Sequence, residues 1–246
     1  KPAILGADRA EVRGFTITGG FDGVRCQGTS PILRRNVIRG NFGDGGIVCL
    51  DGADAVIENN TILGNLGNRF TRLSIGVYAE RSHPLLRNNI IVANDVGYAP
   101  YECAPDEAYN LIWGNGRDFG YSAAPGPGTL SASPGFVDPR VDDYRPAADS
   151  PCRDSGDPNG TLDADGTRGD MGAFDGDGGH SVSLPAQEYF IESILDSLDL
   201  EAGPRIHGAS RFTSDPVFWF DSTGRGSQGE ADARVVIAEG IRSLTD

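Results

Sequence analysis

Two groups of side chains in this sequence have the types and spacing to hold a ligand. The run Asp163-Ala164-Asp165-Gly166-Thr167-Arg168-Gly169-Asp170 gathers three carboxylates and two glycines in eight residues. Calcium takes such oxygen ligands, so Asp163, Asp165 and Asp170 form one candidate metal set. The run departs from the helix-loop-helix calcium pattern, because Gly comes at its fourth and seventh positions rather than its sixth and no Glu follows at the twelfth. The alternative is a turn in which each Asp accepts from nearby backbone N–H groups. The second group is aromatic: Phe42, Phe70, Tyr98 and Tyr101. Exposed rings stack on the faces of sugars, and the competing role is to pin loops to a scaffold. These four are the candidate carbohydrate-binding residues.

Other chemistries find little support. His83 precedes Pro84 in a turn, and His180 and His207 lie toward the C-terminus; a lone loop histidine is more often a surface residue than a catalyst. Asp142 and Asp143 are neighbours in sequence and need not face one site. Lys1 is the only lysine, which leaves Schiff-base chemistry a single candidate at a terminus. The formal charge of −14 argues against nucleic acid and against an anionic lipid surface as partners. The four cysteines, Cys26, Cys49, Cys103 and Cys152, contain no Cys-x-x-Cys. No apolar run is long enough to span a membrane.

The elements that would position these groups are set by a repeat. Leu33-Arg34-Arg35-Asn36-Val37-Ile38-Arg39-Gly40-Asn41 recurs as Ile57-Glu58-Asn59-Asn60-Thr61-Ile62-Leu63-Gly64-Asn65 and as Leu86-Arg87-Asn88-Asn89-Ile90-Ile91-Val92-Ala93-Asn94. Asn110-Leu111-Ile112-Trp113-Gly114-Asn115 is a fourth copy, and Val12-Arg13-Gly14-Phe15-Thr16-Ile17-Thr18-Gly19 an earlier, degenerate one. Two Asn stand five residues apart in the four full copies. A second strand precedes the middle three: Gly23-Val24-Arg25-Cys26, Gly46-Ile47-Val48-Cys49 and Gly76-Val77-Tyr78-Ala79, with Ala3-Ile4-Leu5 as its counterpart at the start. The distance from this strand to the next repeats: Leu5 to Val12, Cys26 to Leu33 and Ala79 to Leu86 are each seven, and Cys49 to Ile57 is eight.

Strand side chains alternate between faces, so Val24, Cys26, Ile47, Cys49, Val77 and Ala79 point one way and Arg25 the other. One coil cannot bury its inward residues alone. Coils stacked ~4.8 Å apart close a shared core and give each strand two parallel partners. Asn at equal heights then bond up and down the stack as ladders. The fold expected is a parallel β-helix of about five coils. Leu33, Ile57 and Leu86 should form one inward column, and Ile38, Ile62 and Ile91 another. Arg34, Glu58 and Arg87 should stack on the outside, where a charge ladder competes with a role as base or uronate anchor. Cys26 and Cys49 should be stacked core neighbours with side chains too nearly aligned for a disulfide dihedral, which leaves Cys103–Cys152 as the expected bridge.

The runs Asn60-Thr61-Ile62-Leu63-Gly64-Asn65 and Asn110-Leu111-Ile112-Trp113-Gly114-Asn115 resemble right-handed parallel β-helix repeats of the pectate-lyase-like superfamily. Ser133-Pro134-Gly135-Phe136-Val137-Asp138-Pro139, Asp143-Tyr144-Arg145-Pro146, Ser150 through Asp157 and Asp170-Met171-Gly172-Ala173-Phe174 resemble the closing segment of secreted bacterial β-helix proteins, several of which carry sorting or anchoring tails. The resemblance covers residues 1–176. It implies the fold and an extracellular or cell-surface location. It does not fix an activity, since the superfamily mixes lyases, hydrolases and proteins with none known. Pectin-cleaving hydrolases of this fold carry paired Asp and a Gly-His-Gly on one sheet, and this sequence has no such set.

The expected organisation is a β-helix over residues 1–121, an irregular Pro-, Gly- and Asp-rich strap over 122–179 that covers the last coil, and a small α/β tail over 180–246. The tail reads as helix–strand–helix, with Phe190, Ile191, Ile194, Leu195 and Leu198 on the first helix, Val217-Phe218-Trp219-Phe220 as the strand, and Val236 through Leu244 as the second helix. Its last apolar pattern runs to Asp246 with no stop signal, as in a piece of a longer chain. Residues 95–108 read as a long excursion between coils, on the flank that carries Phe42, Phe70, Tyr98 and Tyr101. The functional reading is a non-catalytic secreted module at polysaccharide surfaces. A polysaccharide lyase or glycoside hydrolase and a structural spacer are the alternatives.

Overall fold

A computed structural model describes residues 1–67, 73–104 and 106–174. Three parallel sheets wind around one interior, and each coil contributes one strand to each sheet. The first sheet joins β1 (Ile4–Leu5), β4 (Val24–Gln27), β7 (Gly45–Leu50), β10 (Ile75–Glu80), β13 (Val96–Tyr101) and β16 (Arg117–Phe119). The second joins β2 (Glu11–Arg13), β5 (Ile32–Arg34), β8 (Val56–Glu58), β11 (Leu85–Arg87) and β14 (Asp106–Ala108). The third joins β3 (Thr16–Ile17), β6 (Val37–Arg39), β9 (Thr61–Leu63), β12 (Ile90–Val92) and β15 (Leu111–Trp113).

The registers follow the repeat. Leu33, Ile57 and Leu86 stack, as do Ile38, Ile62 and Ile91, and all six are fully buried. Arg34, Glu58 and Arg87 stack outside; Arg34 pairs with Glu58 at 2.9 Å, while Arg87 turns to Asp106 at 2.7 Å. Between the second and third sheets the chain turns in two residues. The first of them is left-handed, at Arg35, Asn59, Asn88 and Tyr109, and the second is a ladder Asn.

Both Asn ladders form. Asn36 donates its amide to Asn60 Oδ1, Asn60 to Asn89 and Asn89 to Asn110, at 3.0, 3.1 and 2.9 Å. Asn41, Asn65, Asn94 and Asn115 do the same at 3.0 Å per step. The second amide hydrogen reaches back to a core-strand carbonyl, as from Asn60 to Leu33 O. The amides are thus satisfied inside the stack, which is the condition for burying them. Gly23, Gly46, Gly76 and Gly97 form a column beside the second ladder, where an added Cβ would lie 2.5–2.9 Å from the next coil's carbonyl oxygen.

Residues 95–108 are not an excursion. They are the fifth coil's β13 and β14, and Gly97-Tyr98 repeats Gly76-Val77 in register. The strap covers the last coil at Leu130, which accepts from Ile112 N and donates to Asn110 O. It then does more than cap. The antiparallel pair β17 (Phe136–Asp138) and β18 (Asp143–Pro146), followed by residues 152–174, runs back along the outer face of the third sheet. Val37, Leu63, Ile90, Val92 and Leu111 there meet Tyr144, Cys152, Met171 and Ala173 in a second apolar core. Asn59 and Asn88, at the turns, bond the backbone of Asp170 and Asp157. The tail expected over 180–246 lies outside the described residues.

Candidate functional site

On the outer face of the first sheet, register places Arg25, Val48, Tyr78 and Ala99 in one row and Gln27, Leu50, Glu80 and Tyr101 in the next. Val48 and Ala99 are fully covered although they point outward. At the C-terminal side of these rows Tyr121 follows β16 and packs against both Tyr101, with centroids 5.0 Å apart, and Tyr78, at 6.5 Å. Tyr101 and Tyr121 remain 40% and 59% exposed. Three rings from three successive coils therefore make one open platform at the edge where the first sheet turns into the second.

The rim of the platform is charged. Asp51, Arg81 and Glu102 are left-handed residues at the same turn of successive coils, with φ of 54°, 47° and 52°. Arg81 pairs with Asp51 at 2.5 Å and also with Glu80, and lies 3.9 Å from Glu102. Tyr78 donates its hydroxyl to Glu80 Oε2 at 2.8 Å. Burial, and then this bond, push the Tyr78 phenol up; the Glu102 carboxylate does the same for Tyr101. Both shifts favour the neutral phenol, with its hydroxyl hydrogen and ring face.

The opposite edge of the sheet carries Phe21 and Phe42, edge to face at 6.4 Å. Near it, Asp22 accepts from Asp44 N and Gly45 N and pairs with Arg25 at 2.7 Å, and Arg25 also holds Asp44 at 2.6 Å. Both nearby guanidiniums, Arg25 and Arg81, are thus bound to carboxylates.

The expected aromatic set does not assemble as one flank. Phe42 precedes β7 and Tyr101 ends β13, so they lie at opposite ends of the strands. Tyr98 is 2% exposed: it shares the inward register of Val77, with Phe119 on its other side, so its ring is core. Burial raises its phenol pKa strongly. Phe70 lies outside the described residues. Tyr78 and Tyr121 were missed. The available signal for Tyr78 was its outward parity in Gly76-Val77-Tyr78-Ala79; Tyr121 follows the last strand and had none.

The aspartate run is a turn. Asp163 accepts from Asp170 N, Asp165 from Thr167 N and Oγ1, and Asp170 from Asp154 N. The carboxylates serve separate backbone contacts and do not converge, and among the described residues no three His, Cys, Asp or Glu gather to hold a metal ion. The Cys103–Cys152 bridge also fails. All four thiols are free; Cys103 packs against the interior of the coils while Cys152 sits in the second core outside the third sheet. Cys26 and Cys49 are register partners in the core, as expected. Among the described residues no helix is long and apolar enough to cross a membrane.

A family model described as right handed beta helix region matches residues 3–120. The matched span ends at the last residues before Tyr121 and contains every coil, so these residues are a right-handed β-helix repeat region. No curated protein matches the sequence.

Proposed function

We propose that this β-helix is a non-catalytic carbohydrate-binding module of a secreted or cell-surface bacterial protein. The observation that carries the reading is the open platform of Tyr78, Tyr101 and Tyr121 on the outside of a rigid sheet. Large exposed rings of this kind offer apolar faces with little side-chain entropy to lose, and a polysaccharide strand can lie across several coils at once. Glu80 and Asp51, which border the rings, are both ion-paired to Arg81. The strap strengthens the scaffold by packing against the third sheet, which leaves the first sheet as the open face.

The test is binding to an immobilised glycan array by the parent and by Tyr101→Ala/Tyr121→Ala, with circular dichroism to show that the coils persist. Loss of glycan signal in the folded variant is the expected result. Equal binding by the two proteins would end the proposal and leave a structural spacer as the better reading. Release of unsaturated uronates or reducing ends from any bound polysaccharide would instead make the module an enzyme.

A further inference from the structure

The charge around the platform selects among sugars. Three carboxylates, Asp51, Glu80 and Glu102, border the rings, against one guanidinium, Arg81. Arg81 is spent on Asp51 and Glu80, and Arg25, in the row of Tyr78 but two strands away from it, on Asp22 and Asp44. Arg117 shares the register of Val96, at the far end of the strand from Tyr101. An anionic sugar on the rings would therefore meet carboxylates and no cation of its own. Glu102 is the least engaged of the three by Arg81: its side chain is 56% exposed, the guanidinium nitrogen is 3.9 Å away, and its carboxylate hydrogen-bonds the neighbouring Tyr101 hydroxyl. It directly follows Tyr101, so an ammonium at its carboxylate lies beside the ring face.

We infer that the platform takes an amino sugar with a free, protonated amine: an oligomer of unacetylated hexosamine, stacked on Tyr101 and Tyr121 with its ammonium on Glu102. The inference rests on the platform being a sugar site. The rings supply the apolar contact and the ammonium gains both a charge-assisted hydrogen bond and the electron-rich ring faces. The chain's charge of −14 adds a general attraction for a cationic polymer. Glu80 acts at one remove, since its oxygens are taken by the Tyr78 hydroxyl and Arg81 and it fixes the ring and the rim.

The experiment is calorimetric titration of the full chain with glucosamine hexamer, N-acetylglucosamine hexamer, galacturonate hexamer and hexalysine, at slightly acid pH. The glucosamine oligomer should bind at least about tenfold more tightly than the acetylated one, the size of one charge-assisted contact. Glu102→Gln should remove most of that preference and leave the acetylated oligomer's affinity unchanged. Tyr101→Ala/Tyr121→Ala should abolish both. Acetylated and free oligomers binding equally, through the tyrosines, would overturn the amine inference while the sugar site stands. Binding by no oligosaccharide would overturn both. Hexalysine binding as tightly as glucosamine hexamer, insensitive to the tyrosine changes, would show a surface that reads charge alone and would also overturn the inference.

Discussion

Asn110 donates its side-chain amide to Glu107 Oε1 at 2.8 Å, and this bond ends the first Asn ladder. The second ladder ends the same way, with Asn115 donating to Asp118 Oδ1 at 3.0 Å. Each ladder Asn donates to the acceptor of the next, so the last needs an acceptor that demands no further partner. An ionised carboxylate is acceptor-only and meets that need. Glu107 has a second task, because its carboxylate also accepts from Gly126 N and Thr129 Oγ1 where the strap begins.

Glu107→Ala should therefore destabilise the whole helix by about 3 kcal/mol, since it takes from the buried Asn110 amide its shortest acceptor and leaves the strap N–H of Gly126 without its carboxylate partner. Glu107→Gln should recover part of that loss, as its carbonyl still accepts from Asn110. Denaturant unfolding measures both, and a loss under about 1 kcal/mol for the Ala variant would mean that water replaces the carboxylate.

Ile62→Asp places an unpaired charge in the fully buried column of Ile38 and Ile91 and should prevent folding. Thermal unfolding unchanged from the parent would refute the register.

Ile90→Ala tests the second core. Ile90 is fully buried against the strap on the outside of the third sheet. The change should cost about 2–4 kcal/mol and expose the strap to limited proteolysis before the coils. Cleavage that begins within the coils would show that the strap contributes little to the packing of this face.

Alkali should destabilise the protein in a defined window. Burial pushes the Cys152 thiol from an ordinary 9.0 up to about 12, and burial with the bond to Asp142 takes the Tyr144 phenol from 10.0 to about 12. The hydrogen bond to Cys26, and then burial, raise the Cys49 thiol as well. These groups are neutral acids whose folded values exceed the unfolded ones. Their contribution is complete below the unfolded values and is lost as pH rises toward the folded ones. Denaturant midpoints should hold level up to about pH 9 and fall from there toward about pH 12, and Cys152→Ala should lessen the early part of the fall. A midpoint independent of alkaline pH would contradict the burial of these groups.

Mass mapping under non-reducing conditions should find no disulfide among the four cysteines, and native thiol labelling should favour Cys103, which is partly exposed, over the buried Cys26, Cys49 and Cys152. A recovered Cys103–Cys152 peptide would mean that the two cores rearrange.

The coils were legible because their signal is local and repeated. Strand parity assigned Leu33, Ile57 and Leu86 to the inside without any contact being known, and the recurrence of Asn36, Asn60, Asn89 and Asn110 at the same place in each copy assigned the ladder. The same logic was available for Tyr98, whose Gly97-Tyr98 step repeats Gly76-Val77, but the irregular stretch after Tyr101 hid the fifth coil. Apolar Ile90-Ile91-Val92 likewise carried the mark of a strand covered on both faces. What covers it was not in that segment: the outer core joins residues some eighty positions apart in sequence, and only the path of the strap brings Met171 onto Ile90. The platform is of the same kind. Tyr78, Tyr101 and Tyr121 have no common spacing to mark them as a set. They meet because stacking turns separation along the chain into adjacency across the sheet, and because Tyr121, beyond the last strand, packs back against the rings of Tyr78 and Tyr101. Parity says which way a side chain points; only the tertiary structure decides what stands opposite it.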